Sequence, residues 1–259
     1  MTSGNTAQGV AVWDRVWQHR PSAHKDRALI HREENSTRWA LIRDALMKTF
    51  GRIEGLRTIE LGAGRGDLSF LLASRGAFVT LLDSSPTVLN LARKRFKRFG
   101  VPADYAQADL FETATLETRY DVSLSSGVIE HFRGRDRLRS VRAHRAVLRP
   151  GGLAVISVPN AACIPYRLWK AYLELRGWWP YGAEIPYSKR ELARLARLAG
   201  FDRRRVSCTA FLRSVGDHFC RTFLHRRPSW VDRASVFDGT MGFTLTLFAW
   251  TASARPDQC

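Results

Sequence analysis

Thr58-Ile-Glu-Leu-Gly-Ala-Gly-Arg-Gly-Asp67 is the stretch from which the rest of the chain can be placed. Ahead of it, Leu56 to Leu61 mixes β-formers with apolar residues over about one strand length. Behind it, Leu68-Ser-Phe-Leu-Leu-Ala-Ser-Arg75 bunches apolar residues at helical spacing. The order is strand, glycine loop, helix. Gly62, Gly64 and Gly66 alternate through the loop, so the backbone can turn tightly and approach a ligand that a Cβ would hold off. Such a loop suits a nucleoside-containing ligand.

Spacing separates the candidate nucleotides. The dinucleotide fingerprint G-x-G-x-x-G would place its third glycine where this chain has Asp67, at the start of the helix that would receive the pyrophosphate. A carboxylate there repels phosphate. The loop carries Glu60 at the strand end instead, giving E-x-G-x-G-x-G, and in this it resembles the class I S-adenosylmethionine-dependent methyltransferases. An acidic residue beside the loop suits a sulfonium ligand with a free amino group and no phosphate.

Strand and helix signals continue in alternation. Ala77-Phe-Val-Thr-Leu-Leu-Asp83 reads as a second strand ending in a carboxylate about 20 residues after the loop, where an acid can accept hydrogen bonds from vicinal ribose hydroxyls. Ser84-Ser85-Pro86 then opens a helix that runs to about Phe99. Ala103 to Ala108 is a third strand closed by Asp109-Leu110, and Tyr120 to Ser126 is a fourth leading into Gly127-Val-Ile-Glu-His-Phe132. A helix from about Asp136 to Leu148 stops at Arg149-Pro150-Gly151-Gly152, and the fifth strand spans Leu153 to Val158. Ser188-Lys-Arg-Glu191 is a capping box for a further helix; Phe201 to Cys208 and Gly242 to Trp250 are the last two strands.

These elements predict an α/β fold: a Rossmann-like, doubly wound, seven-stranded sheet with the last strand antiparallel. Residues 1–50 form a polar tail (1–9) and a helical extension, with Val12, Trp13, Val16 and Trp17 on one face and Trp39, Ile42, Leu46 and Phe50 on another. Residues 51–259 form the main domain, interrupted at 160–187, after the fifth strand, and at 210–239. The first interruption carries Tyr166, Trp169, Tyr172, Trp178, Trp179, Tyr181 and Tyr187 among Arg167, Lys170 and Arg176. Three roles stand open for it besides plain packing: a lid over a small-molecule acceptor, an amphipathic helix on an anionic membrane, or a surface on which bases stack.

Composition bounds the partners. Hydrophobic content of 45% and charged content of 25% are globular values, and 259 residues suffice for a sizeable core. The net charge of +17 favours acidic partners, or else reflects arginines scattered over a solvated surface. Cys163, Cys208, Cys220 and Cys259 show no C-x-x-C spacing, so reduced thiols in the cytoplasm are expected. The first thirty residues are polar and charged without an apolar h-region, and the sequence has no apolar run of membrane-spanning length, so neither export nor a membrane span is expected.

The resemblance covers residues 36–160 well and implies S-adenosylmethionine as cofactor. By position, it implies a cofactor site of Arg38, Glu60, Gly62, Ala63, Gly64, Gly66, Asp83, Ser84, Asp109, Leu110 and Ser126. Arg38 lies where relatives similar to the ubiquinone-pathway O-methyltransferases have an arginine near the cofactor carboxylate, and Asp109 lies where the family places an acid beside adenine. In the family's counterpart of the segment Ser126-x-x-x-Glu130-His131, the strand-end backbone near Ser126 touches the cofactor and Glu130-His131 face the acceptor side, which makes His131 a candidate general base on an acceptor hydroxyl. Relatives that bind a divalent metal do so through E-x-x-E-H; Gly127 replaces the first glutamate here, and no metal is assigned. The activity implied is O-methylation of a small-molecule acceptor. A membrane-associated lipid or nucleic-acid substrate, or a fold retained for cofactor binding without catalysis, stand as alternatives. The Asn/Asp-Pro-Pro-Tyr/Phe motif of amino-methylating nucleic-acid enzymes does not follow the fourth strand.

Overall fold

The computed structural model describes residues 13, 14, 16, 23–116 and 118–253. The expected tail at 1–9, the face residues Val12 and Trp17, and Cys259 lie outside the described residues. Two N-terminal helices, α1 (Ala23–Glu34) and α2 (Thr37–Phe50), precede the sheet. The Ser36 side chain caps α2 by accepting from the Trp39 amide, and Gly51 closes the helix at φ 69°.

The strands are β1 (Arg57–Leu61), β2 (Phe78–Asp83), β3 (Asp104–Gln107), β4 (Tyr120–Ser126), β5 (Leu148–Pro159), β6 (Arg203–Thr209) and β7 (Thr244–Trp250), in the sheet order β3-β2-β1-β4-β5-β7-β6. The pairings from β3 across to β5 are parallel, and β7 runs antiparallel to both β5 and β6. Helices α3 (Asp67–Ala73), α4 (Pro86–Arg98), α5 (Arg135–Ala146), α6 (Ile164–Leu175) and α7 (Lys189–Leu198) connect them. Strand order reverses between β1 and β4, the position at which open α/β sheets take ligands beyond their carboxyl ends.

The alternation of side chains across each strand builds two cores. On β5, Leu153 and Val155 join α2, α3 and α4 on one face, while Ala154, Ile156 and Val158 join α7 on the other. On β7, Phe248 belongs to the first core and Leu245, Leu247 and Ala249 to the second. Trp39, Ile42 and Leu46 of α2 are buried in the first core, so the N-terminal extension is packed into the domain.

One boundary differs from expectation. The stretch Arg149-Pro150-Gly151-Gly152 lies within β5 and is not a simple helix stop, because Leu148 already pairs with Tyr120. The register then shifts before Leu153 pairs with Val122, and Gly151, at φ 76°, donates its amide to the Ala252 carbonyl. Proline and glycine therefore mark a bulge at the sheet margin.

Candidate active site

A cavity of about 590 Å³ opens at the carboxyl ends of β1, β2, β4 and β5. The glycine loop forms its floor. Gly62 and Gly64 adopt φ of 65° and 55°, which brings their backbone to the cavity wall without strain. A Cβ on Gly62 would meet Val128 Cγ2 at 2.8 Å, so side-chain substitution is blocked by the β4 turn as well as by φ. Glu60 is buried at the end of β1, where its Oε2 accepts the Ser69 amide of α3; burial raises its carboxyl to about 7.

Asp83 holds the loop from the next strand. Its two carboxylate oxygens accept the amides of Gly64 and Ser85, each at 3.0 Å. Burial raises its pKa, against the lowering effect of these amide bonds. Asp109 caps the short 3-10 helix Leu110–Thr115, accepting the Phe111 amide at 2.8 Å, with Glu112 completing a capping box. On the opposite wall Arg38 reaches over from α2 to donate to Ser126 Oγ at 2.7 Å, while Glu33 of α1 grips the same guanidinium at 2.8 Å.

Arg38, Glu60, Gly62, Ala63, Gly64, Asp83, Ser84, Asp109, Leu110, Ser126 and His131 all line this one cavity. Gly66 does not. It is the N-cap of α3, and a Cβ there would lie 2.5 Å from Leu81 Cδ2 and 3.1 Å from Phe96 Cε2. Its lack of a side chain serves close packing of α3 and α4 on β2, a packing role beside the cofactor contact expected of it.

The far half of the cavity is built by the aromatic segment after β5 and by a helical run through Phe211–Arg213, the π-helical Ser214–Cys220 and Arg221–Phe223. His131 sits in the 3-10 turn Ile129–His131 and shares its Nδ1 with the Ala183 carbonyl at 2.9 Å. A carbonyl can only accept, so Nδ1 carries the proton and Nε2 keeps its lone pair. Burial lowers the imidazole pKa. Trp13 meets the ring edge-on at 4.8 Å.

Glu130, Glu184, Tyr166, His218 and Phe243 complete this half; Glu130 and Tyr166 lie in segments expected on the acceptor side, whereas Glu184, His218 and Phe243 were not singled out from the sequence. One ligand atom each from Glu130, His131 and Glu184 lies within 4.8 Å of the others, a group that could hold a cation. Glu184 thus supplies a carboxylate near the position vacated by Gly127. The signal that could have found it is an acid set among aromatic residues after the fifth strand. His218, stacked on Trp169 at 4.4 Å and pushed by burial down to about 4, comes from a segment with no readable period. The two tryptophans expected to act together are separated: Trp179 lines the cavity, whereas Trp178 is 56% exposed and is not part of its wall.

Residues 59–152 match the family model described as a methyltransferase domain. The ubiquinone biosynthesis O-methyltransferase of Methylobacterium sp. (strain 4-46) is 33% identical over 177 residues, covering 64% of this chain and 70% of that protein. The enzyme of the same name from Methylocella silvestris is 30% identical over 75% of this chain and 82% of its own length. The fold is shared with magnesium protoporphyrin IX methyltransferase from Synechocystis PCC 6803, solved with bound SAH (TM-score 0.58, 18% identity, 95% of each chain). It is also shared with a possible histamine N-methyltransferase from Thermotoga maritima (TM-score 0.62, 17% identity, 93% of this chain and 99% of that one). The chain belongs to the class I S-adenosylmethionine-dependent methyltransferases. Its cofactor is S-adenosylmethionine, and the residues present fit that molecule: the loop half is lined by Glu60, Asp67, Asp83 and Asp109, with Arg38 and Arg65 as its cations.

Proposed function

We propose that this methyltransferase transfers the methyl group to a hydroxyl oxygen of a small-molecule acceptor. The observation that carries the reading is the His131 bond to Ala183, which leaves Nε2 of a neutral imidazole as a proton acceptor in the cavity wall. S-adenosylmethionine supplies the electrophilic methyl. Arg38 takes the cofactor's carboxylate and Glu60 its ammonium group, while Asp83 accepts from the ribose hydroxyls and Asp109 with Leu110 borders the adenine. Residues 160–187 and 210–239 then form the acceptor side, where their aromatic rings exclude water and align a hydroxyl for displacement. The test is release of the demethylated cofactor with a panel of phenols and alcohols. Turnover that is lost in His131→Ala, with cofactor affinity kept, supports the reading; a panel in which only amines or thiols react overturns it.

A second reading, peripheral contact with an anionic membrane, has its own observation. No helix among the described residues is long and apolar enough to cross a membrane. On α6, however, Ile164, Leu168 and Leu175 are exposed on one face beside Arg167 and Arg176, and Phe219, Phe223 and Leu224 are exposed nearby with Arg221 and Arg226. Apolar residues with flanking arginines match a lipid interface. Co-sedimentation with vesicles of mixed zwitterionic and anionic lipid should retain the protein, and Leu168→Glu with Leu175→Glu should release it. Equal recovery of parent and variant would remove the membrane reading.

A further inference from the structure

We infer that Glu130 and Glu184 form a subsite for an organic cation, so that the acceptor carries a protonated amine remote from the hydroxyl that is methylated. The inference rests on the hydroxyl-transfer reading for its second half only; the cation subsite stands on its own geometry.

Charge placement is the first ground. The protein carries +17, yet the cations in its cavity wall, Arg38 and Arg65, both belong to the loop half. Among the described residues, the acceptor half of the wall carries the carboxyls of Glu130 and Glu184, the imidazoles of His131 and His218 and the phenols of Tyr166 and Tyr181, and burial holds both imidazoles toward the neutral form. Neighbouring cations are not part of the wall, although Arg137 draws the Glu130 carboxyl partly back down and keeps its buried Nη2 without a hydrogen-bond partner. The Arg137 guanidinium, behind Glu130, donates to Glu191 and to the Ile185 carbonyl and stacks over Tyr187. Lys170 pairs with Glu174 and lies 4.9 Å from the Trp179 ring centre.

An unpartnered atom is the second ground. Glu130 is 2% exposed and lines the cavity, and its Oε2 has no hydrogen-bond partner. A buried carboxylate oxygen without a donor is costly unless a ligand supplies one. Glu184 is held on the other side by the Tyr166 hydroxyl, and the two carboxyls approach closely enough to share one cation. Burial, reinforced at Glu130 by the charge of Glu184, raises Glu130 to about 8 and Glu184 to about 7, and an entering cation reverses that effect.

The aromatic surroundings choose the kind of cation. Trp179 lies 5.2 Å from Tyr181 and 5.5 Å from Trp169, and Trp169 is 6.4 Å from Tyr166, the ring that holds Glu184. Ring faces attract an ammonium group, whereas a small hard metal ion seeks oxygen ligands and keeps its waters.

Three phenols test this, the isosteric pair tyramine and 4-propylphenol and the anionic 3-(4-hydroxyphenyl)propionate, titrated calorimetrically into the full chain saturated with S-adenosylhomocysteine, with chelator present. Tyramine should bind about tenfold more tightly than 4-propylphenol, a preference within reach of one buried cation site, and the propionate most weakly. Glu184→Gln and Glu130→Gln should each abolish the preference for tyramine while leaving the affinities for 4-propylphenol and S-adenosylhomocysteine as they are. Equal or tighter binding of 4-propylphenol, failure of tyramine to bind, or a preference that survives both substitutions overturns the inference. So does a Mg²⁺ titration, without chelator, whose binding heat disappears in Glu184→Gln, since the cluster is then a metal site. In a parallel assay with S-adenosylmethionine in place of S-adenosylhomocysteine, transfer to none of the phenols, with the tyramine preference intact, would refute hydroxyl transfer and leave the cation subsite standing.

Discussion

The carboxylate of Asp83 accepts the amide of Gly64 at 3.0 Å, so the strand-end acid and the glycine loop are one unit before any cofactor arrives. Asp83→Ala removes this support together with the carboxylate proposed to accept from the ribose hydroxyls. S-adenosylmethionine affinity should fall by about 1.5–3 kcal/mol, the range for hydrogen bonds to a charged group. Asp83→Asn keeps one acceptor oxygen and should fall less. Calorimetry on the three proteins checks this, and equal affinity throughout would detach Asp83 from the cofactor.

His131 offers a pH-dependent readout. Because burial lowers its pKa, the imidazole is already neutral at ordinary pH, and the acidic limb of turnover should lie below the usual histidine range. His131→Ala and His131→Gln should both lose turnover by about two to four orders of magnitude if the ring is a general base. Chelator should leave the parental rate unchanged. Near-parental rates in both variants would refute the catalytic role.

Trp178 and Trp179 are adjacent in sequence and differ in placement, since only Trp179 lines the cavity. Trp179→Ala should raise KM for the acceptor with little change in cofactor affinity, whereas Trp178→Ala should leave both close to parental values. Steady-state kinetics on the two single variants decides the matter; identical defects would mean that the segment acts only as a packed block.

The buried carboxyls make the ligand-free protein sensitive to alkali. Glu60, Glu130 and Glu184 have folded pKa values raised to about 7, 8 and 7, above the ordinary value of 4.5. Between pH 4.5 and these values the unfolded chain has released protons that the folded chain retains, so this stability is present at low pH and is lost as pH rises toward 8. Glu130→Gln should flatten that decline in melting temperature between pH 5 and 9, whatever its effect at one pH. A parallel shift of the whole curve would show that Glu130 does not titrate in this range.

Gly66→Ala should destabilise the fold by about 1–3 kcal/mol. The new methyl would press on Leu81 and Phe96 from a residue held at φ 66°. Denaturant unfolding checks this, and an unchanged midpoint would refute the packing role.

The sheet was legible because its signals are local. Alternating apolar residues mark β7, and the Ser85 side chain caps α4 as its serine and proline suggest. That Glu60, Asp83, Asp109 and Ser126 share one cavity was legible for a related reason: three stand at or next to a strand end, and Asp109 stands two residues beyond one, at places that can be counted along the chain. Gly66 shows the limit of that reasoning, since alternation with Gly62 and Gly64 cannot tell a ligand contact from a helix contact. The acceptor half was legible only in outline, through His131 and the aromatic segment at 160–187, and its acid pair was not. Glu184 meets Glu130 across 54 residues, and its position depends on how an aperiodic loop folds back so that Ile185 donates to the Glu130 carbonyl. Nor does the Ser188 to Glu191 box close as expected. Ser188 caps α7, but the Glu191 carboxylate pairs with Arg137, which steadies the floor beneath Glu130.

Neighbouring residues of α1 divide their attachments. Glu33 grips Arg38 at the cofactor end, while Arg32 pairs with Asp217 and Asp232, flanking His218 at the acceptor end. Arg213, placed electrostatically between Glu33 and Asp232, joins the two sets of charges. Occupancy at one end is therefore expected to be felt at the other through a single turn of helix. Such heterotropic coupling is reciprocal: whatever factor bound cofactor adds to acceptor affinity, bound acceptor must return to the cofactor.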